Sequence, residues 1–171
     1  VELVRRNVEI KAAVVMEDET ETGVRAHLNF GHTFAHAIEA VTGYGVILHG
    51  EAVALGLLAA STLAASIGLC PKELRAEVED LVAAAGLAVR ANLPDDARLL
   101  AAMALDKKVA RARIRFVLPT RLGAVELRDD VEPAAIRAAK SCISRYSAMA
   151  QSARLRILCP SRRSSTTRIS L

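Results

Sequence analysis

Tryptophan is absent from this 171-residue chain, and aromatic residues make up only 3% of it. Aromatic and β-branched side chains are the ones that fit a pleated, half-buried strand. Their scarcity outside a few short segments weighs against a strand-rich fold. Cysteine is sparse too: Cys70, Cys142 and Cys159 are widely spaced, odd in number and form no CxxC pair. That argues against a disulfide framework or a thiolate zinc site, and for a reducing, cytoplasmic setting. No signal peptide opens the chain, because residues 1–11 alternate charged and apolar side chains. No internal repeat is visible.

A strong charge of one sign is missing as well, although the formal net charge of +4 suggests otherwise. Residues 152–171 hold five arginines (Arg154, Arg156, Arg162, Arg163, Arg168) and no acid, which leaves residues 1–151 at −1. The basic character therefore belongs to a tail, and no nucleic-acid recognition motif accompanies it. Long hydrophobic runs are limited to residues 52–70, which carry no charge. Gly56, Ser61, Thr62, Ser66 and Gly68 interrupt that run and alanine fills much of the rest, so a buried central helix is expected there and not a membrane span.

What the chain does have is alanine and leucine, which supply most of its 52% hydrophobic content and favour helix. The length suffices for one domain with a real core. Apolar periodicity predicts helices over about 2–17, from Arg25 or Phe30 to Val41, 50–67, 71–85, 95–107 and 133–146. A turn at 42–45 separates the second from the third. Two short alternating runs, 113–118 and 123–128, predict a β-hairpin with Pro119 to Gly123 as its loop. The expected organisation is a mainly α domain over 1–149 with a small hairpin, and a Ser/Arg-rich, poorly ordered tail over 150–171.

The four histidines, His27, His32, His36 and His49, all fall within 23 residues. His32 and His36 are four apart and so project from one helical face. His49 follows the turn and can fold back toward them. Converging neutral imidazoles suit Zn²⁺ or a similar divalent ion, usually completed by a carboxylate. The pair is not the HExxH of metalloproteases, because position 33 is threonine and the general base is missing. On spacing alone the reaction stays open.

The wider string narrows it. RAHLNFGHTFAHAIEA at 25–40, GYG at 43–45 and LHGEAV at 48–53 resemble the 3-dehydroquinate synthase family. The likeness extends upstream through EIKAAVV at 9–15 and the acidic run to Glu21, and downstream to DKK at 106–108. It covers about 2–128, and more weakly about 145. The fold implied is the helical C-terminal domain of that enzyme, one of the sugar-phosphate cyclases. The resemblance implies that His32 and His49 ligate a catalytic Zn²⁺, for which Co²⁺ can substitute. It implies that His36 contacts substrate and helps to move protons. Lys11, Arg25 and Asn29 match substrate-binding positions, Glu21 an acid that supports the site, and Lys107 a lysine that binds substrate charge.

The implied reaction is the NAD⁺-dependent cyclisation of 3-deoxy-D-arabino-heptulosonate 7-phosphate to 3-dehydroquinate and phosphate, a lyase step of the shikimate route. These residue types suit that substrate. Arginine grips oxyanions through parallel donors, lysine supplies a point charge, and asparagine can both donate to and accept from hydroxyls. The partner implied is a small sugar phosphate, with a homodimer conceivable for the full-length enzyme and with neither nucleic acid nor membrane.

Several departures from the family string stand out. Ala35 occupies a position where the string carries glycine. The sequence has no glycine-rich NAD⁺-binding turn, and the third metal ligand, a glutamate, belongs to that same missing N-terminal region. The chain also begins without methionine, as a fragment would. The isolated chain is thus expected to bind metal weakly and not to turn over substrate. Two alternatives compete with the leading reading. One is a related cyclase of the inosose or valiolone type. The other is a non-catalytic, metal-binding helical remnant.

Overall fold

The computed structural model describes residues 1–20, 23–105 and 114–144. It contains helices α1 (Glu2–Glu17), α2 (His32–Thr42), α3 (His49–Ser66), α4 (Glu73–Ala84), α5 (Asp96–Leu105) and α6 (Pro133–Ser144). A 3₁₀ helix spans Val24–Asn29, and strands β1 (Phe116–Arg121) and β2 (Ala124–Arg128) form an antiparallel hairpin. The mainly helical fold with one small hairpin is the one expected. The tail from 150 onward lies outside the described residues.

Helix α3 is the hub. It is apolar on nearly every side, and such a helix belongs at the centre of a domain. Ala52, Leu55, Leu58, Leu63 and others along it are buried, and α2, α4, α6 and β1 all pack around it. The run at 52–70 is thus a core helix, and no helix among the described residues is long and apolar enough to cross a membrane. The one fully buried hydroxyl in its middle, Ser61, donates to the Leu57 carbonyl one turn back at 2.8 Å, which satisfies that hydroxyl.

Helix α2 contributes Phe34 and Ile38 to the core. Phe34 meets Phe116 of β1 at 5.5 Å between ring centroids. At the N-terminus of α2 the Thr33 hydroxyl donates to the Arg115 carbonyl at 3.0 Å. The hairpin is therefore fastened to the end of α2 that carries the histidines. On the far side Lys140 of α6 is buried, with its ammonium 2.8 Å from Asp96 of α5.

Helices α2 and α3 come together where glycine faces glycine. A Cβ placed on Gly56 would sit 2.2 Å from the Gly31 carbonyl oxygen, and one on Gly31 would sit 2.8 Å from the Leu57 nitrogen. Gly31 also has φ +81°, a left-handed conformation that side chains disfavour. This conformation divides the segment expected to run as one helix from Arg25 or Phe30. The backbone is 3₁₀ up to Asn29, turns at Gly31 and enters α2 at His32. Ala35 is fully buried in the same contact, with its nitrogen 3.3 Å from the Cβ position of Gly56. Its side chain belongs to the buried core.

The hairpin loop is shorter than the sequence suggested. Pro119 belongs to β1 opposite Val125, and the register shifts between Pro119 and Arg121, leaving Leu122 and Gly123 as the turn. The irregularity falls after Pro119, next to the turn. Strand β1 is also buried continuously from Phe116 to Pro119 instead of alternating, because α3 covers it.

Substitution tests the helix contact directly. Gly56→Ala is expected to destabilise the chain by about 1–3 kcal/mol, since the atoms met are backbone and cannot rotate away. Gly50→Ala, in the same helix with open space around it, is expected to be neutral or to stabilise by up to about 1 kcal/mol. Urea midpoints of the two variants provide the measurement, and equal losses would contradict the close-contact account.

Candidate functional site

The site is built on the N-termini of two helices and the 3₁₀ segment before them. The acidic run after α1 supplies Asp18, whose buried carboxylate accepts backbone N–H bonds from Gly23 at 2.7 Å and Arg25 at 3.0 Å. A single carboxylate thus shapes the loop that delivers Arg25. The Arg25 guanidinium donates to the Glu19 carbonyl at 2.8 Å and is half-buried. Asn29 closes the same 3₁₀ helix and is exposed, as is His27. Lys11 is exposed on α1, the helix that packs against this 3₁₀ segment. Glu21 and Lys107 lie outside the described residues.

His32 is the first residue of α2 and His49 the first of α3. His36 stands one turn further along α2. The imidazole centroids lie 5.7 Å apart for His32 and His36, 5.6 Å for His32 and His49, and 6.3 Å for His36 and His49. The turn at 43–48 therefore folds the third ring back onto the HxxxH face. The Gly31–Gly56 contact fixes the distance between the two helices, since His32 follows Gly31 and His49 lies two turns before Gly56.

Two of the rings are held through the same atom. Nδ1 of His32 faces the Phe30 carbonyl oxygen at 3.3 Å. Nδ1 of His49 lies 3.3 Å from both carboxylate oxygens of Glu39. A carbonyl and a carboxylate only accept, so each contact calls for a proton on Nδ1 and leaves the Nε2 lone pair free. Burial pushes the His32 pKa below the ordinary histidine range. The neighbouring His36 and His49 push the same way, while the Phe30 carbonyl and Glu39 oppose them. His32 is consequently a neutral lone-pair donor at neutral pH.

Among the described residues no group of three or more His, Cys, Asp or Glu side chains is arranged to hold a metal ion. The donor chemistry nevertheless suits one: imidazoles with Nδ1 engaged and Nε2 available match a borderline cation such as Zn²⁺ or Co²⁺. The described side chains would form part of a coordination sphere. Glu51, close in sequence to His49, instead accepts from the Leu48 backbone N–H at 3.2 Å and caps the start of α3.

Beside the imidazoles an open cavity of about 800 Å³ lies between α2 and α5, lined among others by His36, Glu39, Tyr44 and Arg98. Sequence reasoning assigned roles to neither Glu39, Asp18 nor Arg98. Glu39 had a usable signal: it lies three residues after His36 and seven after His32, on the same face of α2. Asp18 and Arg98 carried none, since each is one charge among many until the chain folds.

Comparison with known proteins places this arrangement. The fold is that of the sugar-phosphate cyclases. It superposes with TM-score 0.70 on 2-epi-5-epi-valiolone synthase from Streptomyces hygroscopicus subsp. jinggangensis, solved with NAD⁺ and Zn²⁺ bound, at 26% identity over 84% of this chain and 39% of that one. A 2-deoxy-scyllo-inosose synthase complexed with carbaglucose-6-phosphate, NAD⁺ and Co²⁺ gives 0.64 at 23% identity, covering 77% of this chain and 40% of that one, a likeness of fold.

Within that class the chain belongs to the 3-dehydroquinate synthase family, matching its C-terminal domain over residues 1–109. It is 48% identical over 140 residues to the 3-dehydroquinate synthase of Paracoccus denitrificans, covering 78% of this chain and 38% of that protein. It is 50% identical over 129 residues to that of Rhodopirellula baltica, covering 75% and 34%. The chain thus spans little more than a third of these relatives.

The role of Asp18 can be checked without substrate. Asp18→Ala removes the acceptor of two backbone N–H groups and is expected to cost about 1–3 kcal/mol. The amides of Gly23 and Arg25 are expected to exchange markedly faster with solvent, while those of α3 stay protected. Unchanged exchange at Gly23 and Arg25 would show that another group shapes the loop.

Proposed function

We propose that this chain is the metal- and substrate-binding helical part of a 3-dehydroquinate synthase, acting on 3-deoxy-D-arabino-heptulosonate 7-phosphate in the shikimate route. The observation that carries the reading is the meeting of His32, His36 and His49 within 5.6–6.3 Å in a chain about half identical to enzymes of that name. His32 and His49 are the metal ligands through Nε2. His36, exposed beside the cavity, contacts substrate and handles a proton. Arg25, held by Asp18 and Glu19, and the exposed Lys11 and Asn29 bind the substrate's carboxylate, phosphate and hydroxyls. Lys107 adds a further positive charge, and Glu21 supports the site.

When bound, the metal polarises substrate hydroxyls and NAD⁺ accepts and returns a hydride. The chain's own contribution is to orient a flexible polyanion against those groups and to supply an imidazole for proton movement. The carboxylate ligand and the NAD⁺ site belong to the part of the relatives that this chain does not span. A homodimer of the full-length enzyme in the cytoplasm belongs to the same proposal. The valiolone and inosose synthases share the fold, but their identities of 26% and 23% fall well below the 48% and 50% to dehydroquinate synthases, which favours the dehydroquinate product.

The test compares the 171-residue chain with a full-length protein containing it. With NAD⁺, Co²⁺ and the heptulosonate phosphate, the full-length protein is expected to release phosphate and form 3-dehydroquinate, and the chain alone is not. His32→Ala and His49→Ala are each expected to lower full-length turnover by at least about a thousandfold and to abolish stoichiometric metal, with folding unchanged. Turnover by the chain alone, or full metal content in both histidine variants, would refute this assignment. Turnover of a different sugar phosphate in preference would move the protein to the related cyclases.

A further inference from the structure

The Glu39 carboxylate is turned away from the solvent face of α2 and toward the start of α3. Its side chain is only 13% exposed, whereas the His49 ring it faces is 57% exposed. Both carboxylate oxygens stand 3.3 Å from His49 Nδ1, so the carboxylate straddles the ring nitrogen. The His49 ring otherwise faces the His32 and His36 rings, which give its nitrogens no carboxylate or carbonyl acceptor. The other ring of the proposed pair, His32, is half-buried and has a backbone carbonyl as its Nδ1 acceptor. His49 has a side chain in the same role.

We propose that Glu39 is the positioning residue for His49: it holds the ring in the Nδ1–H tautomer, fixes its rotation and so leaves Nε2 as the nitrogen with a lone pair to offer. Histidine ligands commonly donate their second ring N–H to an acceptor that sets tautomer and orientation and raises the basicity of the ligating nitrogen. A carboxylate does this more strongly than a carbonyl because its hydrogen bonds are charge-assisted. Glu39 also places a carboxylate beside a proposed cation site. It lies on α2 and His49 on α3, so the pair couples ring orientation to the packing of the two helices. The proposal rests on the assignment of His49 as a ligand, but the tautomer it specifies is a property of the chain without metal.

The experiment uses the 171-residue chain with ¹⁵N-labelled histidine at about pH 8, above the ordinary histidine range. Long-range proton–nitrogen correlation identifies the protonated nitrogen of each ring. His49 is expected as Nδ1–H in the parent chain and mainly as Nε2–H in Glu39→Ala, with His32 unchanged as the internal control. Glu39→Gln, which keeps one acceptor oxygen, is expected to hold Nδ1–H. Co²⁺ is then titrated and followed by paramagnetic broadening of the His32 and His49 ring signals. Affinity is expected to fall about 10- to 100-fold in Glu39→Ala, with Glu39→Gln in between. A role in helix packing alone would lower thermal stability without moving the tautomer. His49 as Nε2–H in the parent chain, or the same tautomer and Co²⁺ affinity in the parent and Glu39→Ala, overturns the proposal. Co²⁺ binding indifferent to His32→Ala and His49→Ala overturns the metal assignment instead, and the tautomer result still decides whether Glu39 positions His49.

Discussion

Two helix backbones meet at Gly31 and Gly56, where a methyl group has no room: a Cβ on Gly56 would lie 2.2 Å from the Gly31 carbonyl oxygen. Contact this close is possible only between residues without side chains, and it sets how near α2 can come to α3. Everything at the site is referred to that separation. His32 is the next residue after Gly31, and His49 lies two helical turns before Gly56, so the distance between their rings follows from the distance between the helices. Ala35 lies in the same interface. Its side chain is fully buried and belongs to the core.

Around this contact the domain separates duties. The apolar faces of helices α2 to α6 and strand β1 make the core, and much of the polar work is done near element ends. Thr33 ties α2 to the hairpin through the Arg115 carbonyl. Asp18 holds the backbone N–H groups of Gly23 and Arg25. Glu51 caps α3 at Leu48, and Glu39 reaches across to His49. The carboxylates near the histidines therefore serve distinct ends, and identical chemistry in the sequence becomes unequal in the fold. Histidines at the first position of a helix project beyond the body of their own helix, which lets rings from α2 and α3 face one another without breaking either backbone.

Much of this was legible in the sequence. The central α3 could be read from a charge-free, alanine-rich run too interrupted by small polar residues for a membrane. The pairing of His32 with His36 followed from 3.6-residue periodicity, and the flanking strings carried the family. The hairpin was also visible, although its loop was not. Pro119 reads as a loop residue, yet it lies in β1 opposite Val125, and the register shifts only after it. The helix boundary at His32 was blurred for a related reason. The apolar pattern continues through Phe30, and only the left-handed backbone of Gly31 ends one helix and starts the next.

The sequence alone thus determined composition-level and local properties: a helical chain, a neutral body with a basic tail, two histidines on one helical face and the family they belong to. These depend on residues a few positions apart, where periodicity and motif register act directly. The tertiary structure decided which charges meet which rings. Asp18 bonds the backbone on either side of Val24, Glu39 faces an imidazole ten residues away, and Arg98 comes to the same cavity as His36 from a separate helix. The physical reason is that hydrogen bonds and charge contacts act over about 3 Å, a range that chain spacing does not fix until the helices have packed. Of the three histidines, the sequence supplied the identity. The fold supplied the separation of the rings and, for His32 and His49, an acceptor at Nδ1 that leaves Nε2 free to bind.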